Sequence, residues 1–522
     1  MPRPFDFPAL PPDLLRPLLL GFSGRDHLHG LAARALAHSA GPDDVFAAIA
    51  GDALLAAWAE NPLNGHCAVI LAQSLGRISP PPPALLPVLR AVLARWRVEP
   101  AGEGGLAADQ ILKQLDDEPE NLFWWNALEA HCRAAGDRRV LVDRLSAHEP
   151  GPVLASLFRY VLGNALLASG EPLAARRAFG RCASELPLPT LAERLATALH
   201  RAGESGRAQA VLREAASLRP WHAGLRLRLH DLAGELDTAA VLPEGRTAVL
   251  LHTRNRADAL AETLESLLES DLGDVAVRVL DSGSTDDTSG VIRRFADRFG
   301  AARAAGVALP VDVGAPAARN WLLHLPEVRE SHWTAFVGDD VSLPPDWLAR
   351  LGAAAARYPE AGVWGCKVMD AAGPGGPCRG ERFLASDPLE RERELLAPAL
   401  GVGDFGQADY VRPCASVSGG ALLFRTGRLL AGGSFDLRFS PVGDGCLERD
   451  LRMVLAGGYA VYTGFLAVSR RRGRGDGPNA ADAAANRRKL WAKYAPEEFE
   501  AMARSLDGVL LADLLAKINV LA

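Results

Sequence analysis

The spacing of apolar residues changes near residue 245 and divides the chain into two halves. In the first half, segments such as residues 154–168 and 191–202 carry apolar side chains three and four positions apart, between glycines and prolines. Because this spacing puts the apolar side chains on one face of a helix, it predicts a run of short amphipathic helices.

In the second half, short apolar runs rich in β-branched residues alternate with helical stretches. Such runs are typical of buried strands, and their alternation with helices favours a parallel sheet covered by helices on both faces. The predicted strands are residues 249–251, 275–280, 333–337 and 461–468, and the predicted helices are residues 257–270 and 288–299.

Glycines recur with a repeat-like period in the helical half. Gly136, Gly170 and Gly203 lie 34 and 33 residues apart, the length of one tetratricopeptide unit of two helices and a turn. The unit around Gly136 is a degenerate copy, with Glu129 at a small-residue position. The other two units resemble tetratricopeptide repeats at seven positions each, namely Leu162, Gly163, Leu166, Ala175, Phe179, Cys182 and Pro187, then Leu195, Ala196, Leu199, Ala208, Leu212, Ala215 and Pro220.

These patterns predict a multidomain protein. The expected parts are an N-terminal helical region at residues 1–115, tetratricopeptide-like repeats at 116–242, an α/β domain at 245–475 and closing helices at 476–522. The fold class is therefore an all-α tetratricopeptide-like solenoid followed by a Rossmann-like α/β domain with a mostly parallel sheet.

Composition and charge exclude some classes of protein and some partners. Apolar residues make up 48% of the chain and charged residues 23%, which is typical of folded protein. The formal net charge of −6 provides no global basic field for nucleic acid. Seven scattered cysteines without a C-x-x-C pair favour reduced thiols, and the sequence has no export signal and no apolar run long enough to span a membrane, so a cytoplasmic protein is expected.

Polar clusters follow the predicted strands of the second half. Residues 252–256 follow the first strand, residues 281–288 follow the second, and Asp339 and Asp340 follow the third. Ligands of open α/β sheets bind at the carboxyl ends of strands, so all three clusters are candidates for a binding site. Adjacent carboxylates are costly to hold together without a cation, which predicts a hard divalent ion that would bridge a diphosphate.

Five motifs in one order resemble an inverting, nucleotide-sugar-dependent glycosyltransferase of family 2 with a GT-A fold, over residues 245–472. The motifs are Asn255-Arg256 after a strand, residues 281–287, residues 317–320, Asp339-Asp340 before residues 345–348, and residues 419–421 before residues 432–436.

The resemblance implies roles for individual residues. Asp281 would bind the nucleotide base, Arg319 would lie near the base and ribose, and Asp339 would contact the ribose or sugar. Asp340, with Asp339 as a possible second ligand, would hold Mn²⁺ or Mg²⁺. The remaining implied donor-binding residues are Thr253, Asn255, Arg256, Ser282 and Gly283, and the acceptor side would include Gly419 and Gly420.

The implied general base lies in residues 447–452. Glu448 stands where the family usually has an aspartate, and Asp444 and Asp450 are the substitute candidates. A base of this kind would deprotonate the acceptor hydroxyl as it attacks the sugar.

Two further segments depart from the family pattern. Val337 and Gly338 stand where an acid is usual, and Arg470, Arg471 and Arg472 stand where a histidine often follows the last strand. These arginines are candidates for neutralising the diphosphate, because a guanidinium can donate two hydrogen bonds to phosphate oxygens.

Each cluster also has a structural alternative. Residues 281–288 suit a capped turn, Asp339–Asp340 a solvated loop, the acids at 444–450 an exposed helix face and Arg470–Arg472 a solvated tail.

The expected function is transfer of a sugar from a nucleoside diphosphate sugar to an acceptor. A helical solenoid offers an extended surface for peptides, so a protein or peptide acceptor is the first hypothesis. The alternatives are a glycan or lipid-linked acceptor in cell-surface polysaccharide synthesis, and a scaffold protein that has lost turnover. Processive synthesis is disfavoured, because the sequence lacks a Gln-x-x-Arg-Trp motif and a membrane span.

Overall fold

The computed structural model describes residues 5–75, 83–98, 106–182, 185–370, 377–384, 395–396, 403–441, 443–471 and 480–521. Within these residues the part before residue 235 is helical apart from loops, as predicted. Its helices are α1 Pro12–Leu20, α2 Arg25–His38, α3 Val45–Ala59, α4 Gly65–Leu75, α5 Leu85–Arg95, α6 Ala108–Asp117, α7 Leu122–Ala135, α8 Arg139–Ala147, α9 Ala155–Ala168, α10 Pro172–Cys182, α11 Pro189–Arg201, α12 Ser205–Leu218 and α13 Ala223–Ala233.

The periodic glycines lie in the turns between paired helices. Gly136, Gly170 and Gly203 have φ angles of 75°, 78° and 82°, a left-handed conformation that glycine adopts without strain. Each predicted repeat unit is one pair of helices in contact, α9 with α10 and α11 with α12. The glycine period therefore identified the turns of these helix pairs.

In the α9–α10 pair, the absence of a side chain at Gly163 lets the two helices pack closely. A Cβ atom on Gly163 of α9 would lie 2.5 Å from the ring of Phe179 on α10. Phe179 is fully buried, as are Ala175 and Cys182 on the same helix. The predicted combination of a small residue facing a large one is thus present at this contact.

The first helices share a hydrophobic core with the helices that follow them. Residues from Leu14 to Ala198 share one hydrophobic core, and α3 packs against α11. The proline run at residues 80–83 lies largely outside the described residues. No described helix is long and apolar enough to cross a membrane.

The α/β half contains a large sheet flanked by helices. Its strands are β1 Thr247–Thr253, β2 Val275–Ser282, β3 Ala304–Leu309, β4 Trp333–Val337, β5 Val341–Ser342, β6 Val363–Asp370, β7 Pro377–Arg379, β8 Glu381–Leu384, β9 Leu395–Leu396, β10 Val411–Cys414, β11 Ser416–Val417, β12 Ala421–Arg425 and β13 Ala460–Arg470. Its helices are α14 Ala257–Leu268, α15 Thr288–Phe299, α16 Gly314–Leu323, α17 Pro326–Arg329, α18 Trp347–Arg357, α19 Thr426–Ala431 and α20 Gly445–Leu455.

The strand order is β10-β13-β6-β12-β4-β1-β2-β3. Strands β3, β2, β1 and β4 are mutually parallel, so their carboxyl ends meet at one edge. Side chains alternate between two cores, with Ala248 and Leu250 in one and Val249 and Leu251 in the other, so both faces are covered. All the predicted strands and helices are confirmed.

The second part of the sheet is mixed, so parallel pairing does not extend across the whole sheet. Strand β12 is antiparallel to both β4 and β6, and β13 is parallel to β6. A parallel connection needs a crossover that returns the chain to the starting edge. The described residues between β6 and β12 contain short strands and no such helix.

Two C-terminal helices, α21 Ala480–Lys493 and α22 Pro496–Leu521, complete the chain. Helix α22 packs against α1, α13 and β10. Arg16 of α1 donates to Asp507 of α22 over 2.8 Å, and the Val411 amide of β10 donates to Asp231 of α13 over 2.6 Å. The helical region and the α/β domain therefore share buried contacts as well as a chain connection. The predicted boundaries of the four parts stay a prediction.

Gly163→Ala should destabilise the protein by about 1–3 kcal/mol, because the added methyl group overlaps the Phe179 ring. Gly180→Ala on α10 is the matched control, since nothing lies within 4 Å of its Cβ position. The control should be neutral or stabilising by up to about 1 kcal/mol. Thermal unfolding followed by circular dichroism measures both; equal unfolding midpoints would contradict the proposed contact.

Candidate active site

Four strand ends place the candidate residues along one edge of the sheet. Thr253 at the end of β1 is paired with Asp281 near the end of β2, and Gly338 follows the end of β4. The short strand β5 pairs with the end of β13, with Arg470 opposite Val341. This pairing joins residues from distant parts of the sequence beside Asp340.

Hydrogen bonds connect the loop after β2 to the loop after β1. Asn255, which adopts a φ angle of 50°, accepts a hydrogen bond from the Thr285 amide over 2.7 Å. The backbone amide of Asn255 donates to Ser284 Oγ over 2.9 Å. Asp281 accepts from the Ser284 amide and from Ser289 Oγ, both over 3.0 Å. Both carboxylate oxygens of Asp281 therefore shape this loop, which agrees with the capped-turn alternative for residues 281–288.

A second set of hydrogen bonds connects the loop after β2 to the start of α16. Ser282 Oγ donates to Asp312 over 3.1 Å and accepts from the Val313 amide over 3.0 Å. Gly283 has a φ angle of 71°, and a Cβ there would lie 2.8 Å from the Val311 backbone. Sequence reasoning missed Asp312, which also bonds Arg254 over 2.7 Å. Its position just before α16, at the end of β3, was the available signal.

The two adjacent carboxylates are held by two arginines. Arg256 Nη1 donates to Asp339 Oδ1 over 3.1 Å and to Asp340 Oδ2 over 3.2 Å. Arg470 Nε donates to Asp340 Oδ1 over 3.1 Å. Burial raises the pKa of Asp339, Arg256 lowers it and Asp340 raises it again. Both oxygens of Asp340 thus face guanidinium groups.

The two guanidinium groups contact the carboxylate oxygens that Mg²⁺ or Mn²⁺ would need. In proteins, Mg²⁺ is usually bound through one or two carboxylates together with waters and substrate phosphates. Here two carboxylates are already balanced by two cations, which an ion would have to displace. Among the described residues no group of three or more His, Cys, Asp or Glu side chains could hold a metal ion.

The side chains of Arg470 and Arg471 contact different acidic residues. The Arg471 amide donates to the Asp340 carbonyl over 2.8 Å, whereas its side chain pairs with Glu262. Successive side chains of a strand point to opposite faces, which separates the side chains of Arg470 and Arg471. Arg472 lies outside the described residues.

Arg319 lies between two aromatic rings. Its guanidinium carbon is 5.9 Å from the Phe336 ring centroid and 5.6 Å from that of Phe435. Its buried Nε has no hydrogen-bond partner in the described part of the chain. Burial, together with Arg319 and Arg256, lowers the pKa of His252 to about 3, so His252 is neutral.

The glycine pair on the predicted acceptor side adjoins the carboxylates. The Gly338 amide donates to the Gly420 carbonyl over 3.0 Å. A Cβ on Gly420 would lie 2.7 Å from Val368, whereas the space at Gly419 is open. Gly419 therefore leaves room beside the Asp339 turn.

The three candidate bases on α20 have different surroundings. The Glu448 side chain has no exposed surface; it pairs with Lys493 of α21 and, over 2.8 Å, with Arg452. Asp450 is also buried and accepts from Ser416 Oγ over 2.7 Å; burial raises its pKa to about 6. Asp444 is partly exposed at the N-terminus of α20. Sequence reasoning missed Lys493, because α21 follows after residues 472–479 and its pairing with α20 is tertiary.

Several solved structures resemble parts of the chain. GalNAc-T7 with UDP, GalNAc and Mn²⁺ aligns at 13% identity and a TM-score of 0.38, covering 49% of each chain, so this chain spans about half the length of that protein. The mannosyltransferase PcManGT from Pyrobaculum calidifontis with GDP-Man and Mn²⁺ aligns at 19% identity and a TM-score of 0.35, covering 60% of this chain and 85% of its own. S. aureus TarS aligns at 18% identity and a TM-score of 0.32, covering 44% and 37%.

No curated protein matches the chain. A family model does: residues 248–398 match Glycosyl transferase family 2. This match covers β1 to β6 and every residue of the Asp339–Asp340 turn, as the sequence resemblance predicted. The part of the α/β domain at residues 248–398 is therefore similar to glycosyltransferase family 2.

Proposed function

We propose that the α/β domain transfers a sugar, with inversion, from a nucleoside diphosphate sugar to an acceptor hydroxyl. The observation that carries the proposal is the cluster of Asp339, Asp340, Arg256 and Arg470 at the carboxyl edge of the sheet, beside the Asp281 loop. Open α/β sheets bind ligands at this edge, and the family match covers Arg256, Asp339 and Asp340.

In this reaction the acceptor oxygen forms a bond to the anomeric carbon as the bond from that carbon to the diphosphate oxygen breaks. The electron pair of the breaking bond leaves with the diphosphate, and the acceptor proton passes to a carboxylate base. The protein has to position both substrates and supply that base.

We propose that Asp444 is the base. A general base has to reach a proton on a substrate in the cleft. Glu448 is enclosed by Lys493 and Arg452, and Asp450 by Ser416 and the sheet. Asp444 lies at the partly exposed start of α20, where Pro441 accepts a hydrogen bond from the Ala315 amide and so joins this region to α16.

A protein acceptor is supported by a groove in the helical region. The groove has a volume of about 450 Å³ between α10, α11 and α12, with Leu195 and Val211 among its apolar lining residues. Arg176 and Arg207 line it as well and both pair with Glu204. Two arginines against one glutamate leave a net positive charge beside this apolar groove, which suits an acidic peptide that carries an apolar side chain.

Arg319→Ala should weaken nucleotide binding at least about tenfold, or 1.4 kcal/mol, because a guanidinium beside the base and ribose is lost. Arg425→Ala is the matched control, since Arg425 stacks on Trp333 at the opposite end of β4. Thermal shifts with UDP, GDP, dTDP and CMP measure binding. Equal affinities of both variants would contradict the donor role of Arg319.

Asp444→Asn should lower kcat at least about 100-fold without changing nucleotide affinity, because it removes the proton acceptor. Glu448→Gln should instead lower the free energy of unfolding by about 2 kcal/mol, because Lys493 and Arg452 lose a buried partner. Transfer assays and unfolding curves measure these effects. Full activity of Asp444→Asn with an inactive, folded Glu448→Gln would assign the base to Glu448.

Val211→Glu should abolish binding of a fluorescent peptide of alternating Glu and Leu, because it places a carboxylate among the apolar lining residues of the groove. Val140→Glu on α8 is the matched control, since Val140 is an exposed valine outside the groove. Fluorescence anisotropy measures the affinity. Equal binding by the two variants would exclude this groove as the peptide site.

A further inference from the structure

We propose that Arg470, held against Asp340, donates hydrogen bonds to the donor diphosphate, so that donor binding requires no divalent cation. The inference rests on the proposed function. It assigns diphosphate binding to a side chain of this protein instead of to a bound metal ion.

The charges of the cluster support this assignment. Two carboxylates and two guanidiniums balance each other, and the Asp340 side chain is only 8% exposed. Removing either cation would leave a buried carboxylate with one partner fewer, which is costly. The arginines are therefore built into the resting site, at the position where the sequence predicted an ion.

The guanidinium group of Arg470 retains hydrogen-bonding capacity. The Arg470 side chain is 17% exposed. Arg470 bonds Asp340 through Nε, and its two terminal nitrogens have no hydrogen-bond partner among the described residues. A guanidinium has five N–H donors in a fixed plane, and a pair of them matches two phosphate oxygens.

The backbone holds Arg470 in this place. The pairing of β13 with β5 and the hydrogen bond from the Arg471 amide to the Asp340 carbonyl fix the strand end against the aspartate turn. Donors held by a strand are positioned before the ligand arrives, so little reorganisation is needed on binding.

Gly338 fits the same arrangement. A Cβ at this position would lie 3.2 Å from Asp340 Oδ1 and 3.3 Å from Val341 Cγ1. Any side chain here would press on the carboxylate that orients the two arginines. The absence of an acid at Gly338 and the presence of Arg470 are therefore two parts of one site.

The test measures binding of UDP, GDP, dTDP and CMP to the full chain by calorimetry, in EDTA and in Mn²⁺. The expected result is a nucleoside diphosphate whose affinity differs less than about twofold between the two conditions. Binding that is at least about tenfold weaker in EDTA would overturn the inference and leave the proposed function standing. No binding in either condition would overturn the proposed function and the inference with it.

Variants then test the arginine itself. Arg470→Ala should weaken binding of the selected diphosphate at least about tenfold and binding of the corresponding monophosphate much less, with Arg470→Lys intermediate. Arg298→Ala is the matched control, because this exposed arginine pairs with Glu265 near the far ends of α14 and α15. Equal losses for the two nucleotides, or unchanged affinity in Arg470→Ala, would overturn the role of Arg470.

Discussion

Two adjacent carboxylates at the end of a buried strand set the main constraint on the site. Asp339 and Asp340 would repel each other and lose hydration unless cations lay beside them. Arg256, from the loop after β1, and Arg470, from the end of β13, meet this need. The same contacts hold the first and last strands of the domain together around one edge of the sheet, the edge at which open α/β sheets bind ligands.

The helical region and the C-terminal helices fix the surroundings of that edge. Helix α22 packs on α1, α13 and β10, so parts from both ends of the chain share a core with the sheet. Helix α21 supplies Lys493 to Glu448 and thereby buries one of the predicted bases. These helices therefore influence which acidic side chains of α20 are buried, in addition to supporting the fold.

Local sequence signals predicted much of this structure. Turn glycines and the Gly163–Phe179 contact follow from residue size and spacing, and the strand ends follow from apolar runs. Contacts between residues far apart in the sequence could not be predicted from local patterns. The contact of Arg470 with Asp340 depends on the β5–β13 ladder, and the burial of Glu448 depends on α21. The antiparallel course of β12 follows a segment whose described residues contain no crossover helix. The predicted metal at Asp340 assumed uncompensated carboxylates, whereas the structure supplies guanidinium partners.

The most direct measurement is a crystal structure of the full chain with its nucleoside diphosphate, grown with Mn²⁺ in the solution. The account predicts phosphate oxygens about 2.7–2.9 Å from nitrogens of Arg470, with Asp340 still bonded to Arg470. A Mn²⁺ ion bound to the Asp340 oxygens and bridging the phosphates, with Arg470 displaced, would contradict it.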